Sequence, residues 1–555
     1  MFDWTIVAAF AGYLALMLGI GFFFSKRQEN LGDYYLGGRK MNKWVVALSA
    51  QASDMSGWLL MGLPGALYVG GFSEAWIGIG LLVGTYLNWK IVAQRLRRYS
   101  QACKDSITIP DFICNRFRDT TGISRVVAAL IILVFFTFYT ASGFVAAAKL
   151  FSMMFSMSYT TALWIGAAVV VSYTLLGGYM AVCWTDFIQG SLMFVAIVLV
   201  PAIVVTDAGG FAATVDALNE ANVNLLNLFT AAGTGKACGF IGLVSCMAWG
   251  LGYFGMPHIL VRFMSINNPA EVKGSRRIAM TWVTISLAAA VVIGLVFHIY
   301  LKQRGLSLAD VGNDPEKCFM VMINGIFSTG IFARIFAGIL LSAIMAAIMS
   351  TADSQLLVSA SSFTNDLYRR VKKNASNREL VNVSRLAVAA VAVVAASMAM
   401  NTGSEFFKVV MKMVSFAWAG FGAAFGPLIL LALFWRRTNL AGAVAGMIVG
   451  AATCFVWKFW LADYAAQYPI FGLYELAPGF LFSFVVTVAV SLLTKKPTQE
   501  MMTEFDSISG KLPMSEWLLY VRGLMRDSLA DGKITPEEAE KLRNAIIDNM
   551  PEYRD

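Results

Sequence analysis

Residues 49–62 read Ser49-Ala50-Gln51-Ala52-Ser53-Asp54-Met55-Ser56-Gly57-Trp58-Leu59-Leu60-Met61-Gly62, inside a run from 44 to 70 that is otherwise apolar enough to cross a membrane. A carboxylate, three serines and a glutamine at hydrocarbon depth are tolerated only where they face protein or water. Gly57 and Gly62 weaken the helix, and Pro64 and Gly65 follow. The stretch reads as a membrane helix broken near its middle, where unwinding frees backbone carbonyls for a cation.

A second stretch mirrors it: Trp249-Gly250-Leu251-Gly252-Tyr253-Phe254-Gly255-Met256-Pro257-His258. Either one alone also fits a small-residue packing face between helices. Two broken helices at matching positions of two inverted halves point to a transporter site.

The rest of the chain fits a membrane solvent. Of 555 residues, 58% are hydrophobic and only 14% charged, and the mean hydropathy is +0.66. That charged share is about half that of a soluble chain. About thirteen runs are long enough to span. They lie near 4–24, 44–70, 73–95, 124–152, 159–178, 184–206, 238–258, 279–300, 330–365, 384–401, 405–435, 438–461 and 474–494. The first is read as a retained helix, because no basic residues precede it and no small-residue cleavage site follows.

Lys and Arg gather after alternate runs. Lys26, Arg27, Arg39, Lys40 and Lys43 follow the first, and Arg262, Lys273, Arg276 and Arg277 follow the seventh, whereas 207–237 has only Lys236. The positive-inside rule puts the N-terminus outside and the C-terminus in the cytoplasm. The net charge of +9 is spread over these short loops, which argues against a nucleic-acid partner. Two histidines, His258 and His298, leave little for a transition-metal site. Seven cysteines form no C-x-x-C pair, and Cys238 and Cys318, both on outer loops, have the option of pairing.

The ninth run supplies oxygen ligands. In Ala346-Ala347-Ile348-Met349-Ser350-Thr351-Ala352-Asp353, two hydroxyls stand side by side and the Ala347 carbonyl lies one turn earlier. Sodium prefers such oxygens, whereas the bland alternative is hydroxyls bonded back to their own helix. Asp353 is a buried-carboxylate candidate for function. Asp186, at the start of the sixth run, is either a helix N-cap or an ion ligand.

Residues 497–555 are too polar to span. They read as an amphipathic helix over 514–526, with Trp517, Leu518, Val521 and Leu524 on one side, and a second helix over 537–549. Between them, 527–538 has the length of a calcium loop, but Leu529 stands at a ligand position, so a capped helix start is the other reading.

These motifs resemble the sodium–solute symporter family, most closely its proline-transporting bacterial members, over about residues 10–495. The resemblance rests on Tyr35-Leu36-Gly37-Gly38-Arg39, on 52–65, on 249–258, on Met349-Ser350-Thr351, and on 417–427 ending in Gly426-Pro427. It implies an all-α, leucine-transporter-type fold of two inverted five-helix repeats. The divisions would be 1–43 (peripheral helix and loop), 44–206 and 238–435 (the repeats), 438–496 (peripheral helices) and 497–555 (cytoplasmic tail).

The resemblance further implies a sodium site from the carbonyls of Ala52, Met55 and Ala347 and the hydroxyls of Ser350 and Thr351, with Asp54 as the carboxylate needed for coupling. It puts Ser56, Trp58, Tyr139, Trp249, Tyr253, Met256 and Pro257 around the solute, with Met256 where such relatives carry glutamine. Arg39 corresponds to a cytoplasmic-side coupling arginine, and Asp186 to an additional cation site in some relatives. The expected function is sodium-coupled secondary uptake of L-proline across a bacterial inner membrane, without a cofactor and embedded in lipid. The tail's partner is unassigned. Another small amino or carboxylic acid is the nearer alternative, and a receptor signalling through the tail the more distant one.

Overall fold

A computed structural model describes residues 3–25, 31–176, 178–509, 521, 523, 525–526, 528–529 and 534–549. Residues 1–496 and 497–555 form two separate units. Among the described residues the first unit is helical, with β-pairing confined to the isolated bridges Met41–Ile266 and Thr230–Ala237.

The apolar runs become α1 (Trp4–Ser25), α2 (Lys43–Asp54), α3 (Leu63–Gly70), α4 (Ala75–Leu87), α5 (Ile123–Phe155), α6 (Tyr159–Leu176) and α7 (Tyr179–Asp207). After the connection over 208–239 come α8 (Phe240–Ala248), α9 (Pro257–Ser265), α10 (Val272–Gln303), α11 (Ile331–Ser361), α12 (Asn377–Ala399), α13 (Val410–Phe434), α14 (Leu440–Val456) and α15 (Leu476–Leu493). By length and apolar content, ten of the described helices can cross a membrane, or eleven if the bent pair at 240–265 is one span. The thirteen runs expected from sequence differ from this in two places. The structure joins 58–102 into one long helical stretch where two runs were separated, and α6 is too short to pass alone. Apolar side chains face outward along these helices, as lipid allows: Leu386 is 70% exposed and Leu481 57%.

Both breaks form where the sequence places them. Asn42 caps α2 by accepting from the Trp44 and Val45 amides, and α2 ends at Asp54. Met55 leaves helical geometry (φ −83°, ψ 61°), the Ser56 amide turns back to the Asp54 carbonyl at 2.9 Å, and a wide helical turn over Trp58–Gly62 leads into α3. In the second break, α8 tightens into a 3₁₀ turn over Trp249–Phe254 and then bends by 43° into α9. Pro257 is the cause: it lacks an amide proton and pushes the preceding residue out of the helical region, so Met256 is extended (φ −76°, ψ 108°).

The 3₁₀ turn packs without spare room. A Cβ on Gly252 would overlap the Trp418 indole, which in turn donates to the Trp249 carbonyl at 2.7 Å. Gly252→Ala is therefore expected to destabilise the protein by about 1–3 kcal/mol, read as a lower Tm for the detergent-purified variant.

Cys238 and Cys318 do not pair; both thiols are free. In the tail, Gln499–Ile508 is a helix that the sequence reading left unassigned. Pro536–Asn549 is the expected second helix, opened by a reciprocal cap in which Thr535 and Glu538 each receive the other's amide. Of the sequence readings, 514–520 (with Trp517 and Leu518), Leu524, the loop positions 527 and 530–533, and the charges Lys26 and Arg27 lie outside the described residues.

Candidate functional site

The break in α2 meets α11. The Ser350 hydroxyl donates to the Ala52 carbonyl at 2.8 Å and to its own helix at Ala347, 3.2 Å. Thr351 donates to the same Ala52 carbonyl at 3.4 Å. One of these bonds stays within the helix, as the back-bonding alternative has it, and two cross to the break. Four of the five expected oxygen donors are thus within contact, and Met55, the fifth, is the buried residue at which α2 unwinds. Ser350, Thr351 and Ala347 are almost wholly buried.

Asp54 joins the two broken helices. Fully buried, it accepts through Oδ2 from the Tyr253 hydroxyl at 2.6 Å, while its Oδ1 has no hydrogen-bond partner among the described residues. Its backbone carbonyl accepts from the Trp58 indole at 3.2 Å and from the Tyr139 hydroxyl at 3.4 Å. The Asn88 side-chain amide donates to the Tyr253 backbone carbonyl at 2.9 Å.

Around these polar groups stands an aromatic wall. The Trp58 and Trp249 rings are 6.4 Å apart, Trp249 stacks on Tyr474 at 5.3 Å, and Tyr253 meets Trp418 edge-on at 5.0 Å. Ser56 is buried at the break, its hydroxyl 3.4 Å from the Trp58 amide. Met256 and Pro257 are buried at the hinge, where the Met256 carbonyl starts α9 by accepting from Leu260 at 3.0 Å.

Asp186 is not an N-cap. The helix α7 begins at Tyr179, so Asp186 lies two turns inside it and is fully buried. The loop-charge reading of Arg262 is also corrected: it sits within α9 at 1% exposure. Its guanidinium donates to Asp186 Oδ2 at 3.1 Å, to Ser49 on α2 at 3.1 Å, to Ser354 on α11 at 2.5 Å and to the His258 carbonyl at 2.9 Å. Ser49 adds a 2.6 Å bond to Asp186. Ser354 passes on to the Ser350 carbonyl at 2.8 Å and lies 3.3 Å from Asp353. One arginine therefore ties α2, α7, α9 and α11 together immediately beside the Ser350 cluster, and Asp353 belongs to the same group.

Arg39 is elsewhere. It bonds Asp105 at 2.7 Å, the Met264 carbonyl at 2.6 Å and the Ser106 carbonyl at 2.8 Å, clamping the far end of α9 rather than touching the break. Sequence reasoning missed Arg262, Ser49, Ser354, Trp418 and Tyr474. Arg262 carried a signal, a charge set between the apolar Ile259-Leu260-Val261 and Phe263-Met264, as did Ser49, a polar residue at hydrocarbon depth, and Trp418, inside the 417–427 stretch.

Comparison with known proteins agrees with this architecture. A sequence model described as "Sodium:solute symporter family" matches residues 34–450. The high-affinity proline transporter PutP of Bacillus subtilis is 48% identical over 492 residues, 88% of this chain and 98% of that one. The sodium/proline symporter of Escherichia coli is 45% identical over 501 residues, 90% of this chain and 95% of that one. Among solved structures, a substrate-bound, outward-open Na+-coupled sialic acid symporter superposes with a TM-score of 0.73 at 20% identity, covering 90% of this chain and all of that one. That likeness shows the fold, the leucine-transporter type, in a multi-pass membrane chain.

Proposed function

Since this chain belongs to the sodium:solute symporter family, we propose that it couples inward sodium movement to the uptake of L-proline across a bacterial inner membrane, with its N-terminus outside and its C-terminus in the cytoplasm. The observation that carries the reading is the contact of Ser350 and Thr351 with the Ala52 carbonyl at the break in α2.

In this reading the two hydroxyls keep their protons but turn them away from that carbonyl, and sodium takes the place between the oxygens. Ala52, Met55 and Ala347 supply carbonyl oxygens, and Ser350 and Thr351 supply hydroxyl oxygens, a hard neutral set suited to a hard cation. Asp54 supplies the nearby negative charge. Sodium binding then locks α2 to α11, and through the Asp54–Tyr253 bond it orders the second broken helix. The solute site is completed only when sodium is in place, and this makes the two bindings mutually dependent.

Proline is a zwitterion with an apolar ring. Trp58, Trp249 and Tyr253 offer aromatic faces for the ring and its ammonium, and Tyr139 and Ser56 offer hydroxyls for orientation. The N-terminus of the half-helix at Met256–Pro257 favours the carboxylate. Arg39, bonded to Asp105 and to the end of α9, holds the cytoplasmic side shut, and the Arg262–Asp186–Asp353 group links that movement to the sodium site. One sodium carried with a neutral zwitterion moves one charge, so an inside-negative potential adds about 2.3 kcal/mol per 100 mV.

The test is uptake of labelled proline into proteoliposomes. Accumulation is expected only with an inward sodium gradient, faster under an inside-negative potassium diffusion potential. Asp54→Ala is expected to raise the half-saturating sodium concentration roughly tenfold or more, the loss of a charged hydrogen-bonding group being worth about 1.5–3 kcal/mol. Unchanged sodium activation in that variant removes Asp54 from the coupling step, and sodium-independent uptake by the unaltered protein refutes the symport reading.

A further inference from the structure

We propose that Tyr474, from the connection that leads into α15, is a positioning residue of the solute site: it fixes the Trp249 indole opposite Trp58. The inference rests on the proline-uptake reading above.

Tyr474 stands outside the two repeats expected from sequence, yet its buried side chain reaches the broken helix. Its ring stacks on Trp249 with centroids 5.3 Å apart and planes 24° apart. Its hydroxyl donates to the Ser415 carbonyl of α13 at 2.6 Å, and its amide donates to the Ser245 hydroxyl of α8 at 3.0 Å. Ser245 lies one turn before Trp249, and Ser415 one turn before Trp418, so each attachment falls on the face that carries an indole of the site.

The chain around Tyr474 is itself held. Trp457 of the turn after α14 donates to the Leu473 carbonyl at 2.9 Å, and Lys458 lies 3.6 Å from Glu475. Trp249 is consequently gripped twice from α13: at its carbonyl by Trp418, 2.7 Å, and at its ring by Tyr474 through Ser415. Its 6.4 Å spacing from Trp58 is set by these two grips. A wall held in place before the solute arrives binds it without first giving up side-chain freedom. Tyr474 bonds neither α2 nor α11 in any of these contacts, so its effect falls on the solute and not on sodium.

The experiment measures initial proline uptake in proteoliposomes at saturating sodium. Tyr474→Ala is expected to raise the proline KM roughly two- to tenfold, the range set by one aromatic pair, with the maximal rate unchanged and, at saturating proline, the half-saturating sodium unchanged. Tyr474→Phe keeps the stack and loses the tether to Ser415, and its KM is expected to fall between the two. In a Trp249→Ala background, Tyr474→Ala is expected to add nothing, because its route to the solute is gone. KM effects of the two substitutions that multiply, or a lowered maximal rate at unchanged KM, overturn the assignment. If Tyr474→Ala does not fold, Tyr474→Phe decides: a raised KM supports the role and an unchanged one overturns it. Absence of proline uptake by the unaltered protein is a distinct result, which overturns the parent reading and this inference with it.

Discussion

Replacing Ser350 and Thr351 together by alanine is expected to abolish sodium-stimulated uptake at ordinary sodium concentrations, raising the half-saturating sodium about 10²–10⁴-fold. In the proposed sodium site each hydroxyl lost is one cation ligand, worth about 1.5–3 kcal/mol where the interaction involves a charge. The structural cost of the substitution is small by comparison. Ser350 and Thr351 donate to the Ala52 carbonyl, and that carbonyl, already freed by the break, is solvated by any cation or water that reaches it. The variant should therefore fold, reach the membrane and still fail to respond to sodium. The check is a sodium titration of initial uptake beside a thermal unfolding curve. Normal folding with a normal sodium titration removes these hydroxyls from the ion site.

Arg262→Ala is expected to have the second large effect, by a different route. Among the described residues the guanidinium is the one positive group bonded to Asp186 and Ser354 in a buried cluster, and Asp353 lies beside it. Removing it leaves buried carboxylates without their partner, a loss of about 3–5 kcal/mol. Uptake should fall to background and the Tm should drop markedly. Pairing the change with its partner tests the cause. Arg262→Met/Asp186→Asn is expected to regain much of the stability, since no unpaired charge remains at that bond, while uptake stays impaired because the tie between α2, α7, α9 and α11 is gone. A single Arg262→Ala variant that unfolds at the normal temperature contradicts the cluster's structural weight. A double variant that transports normally contradicts its part in coupling.

The two cases mark what the sequence could and could not tell. The breaks were legible because glycine, proline and buried polar residues violate the demands of a membrane helix locally, so Ser49–Gly62 and Trp249–His258 announce themselves without any knowledge of their neighbours. The pairing of Ser350 with Ala52 was legible only as chemistry, two hydroxyls in need of a partner. The partner lies 298 residues away and is found by folding. Arg262 was misread because the rule that puts basic residues in cytoplasmic loops cannot tell a loop from the last turns of a helix whose charge turns inward. The same holds for Asp186, whose helix starts at Tyr179, more than a turn before the apolar run near 184–206 begins. Tyr474 gave no signal, since an aromatic residue beside an apolar run looks like any lipid-facing anchor, and Trp418 was legible only as part of the 417–427 resemblance.

The central claim is that sodium and solute share one ordered element, the break in α2. It is tested most directly by equilibrium binding of labelled proline to the purified protein across a sodium titration, in the unaltered chain and in Ser350→Ala/Thr351→Ala. The proline Kd is expected to fall steeply as sodium rises in the unaltered chain and to stay flat and weak in the variant, because linkage makes each ligand's gain the other's. A proline Kd independent of sodium in the unaltered chain, or a sodium dependence that survives in the variant, contradicts it.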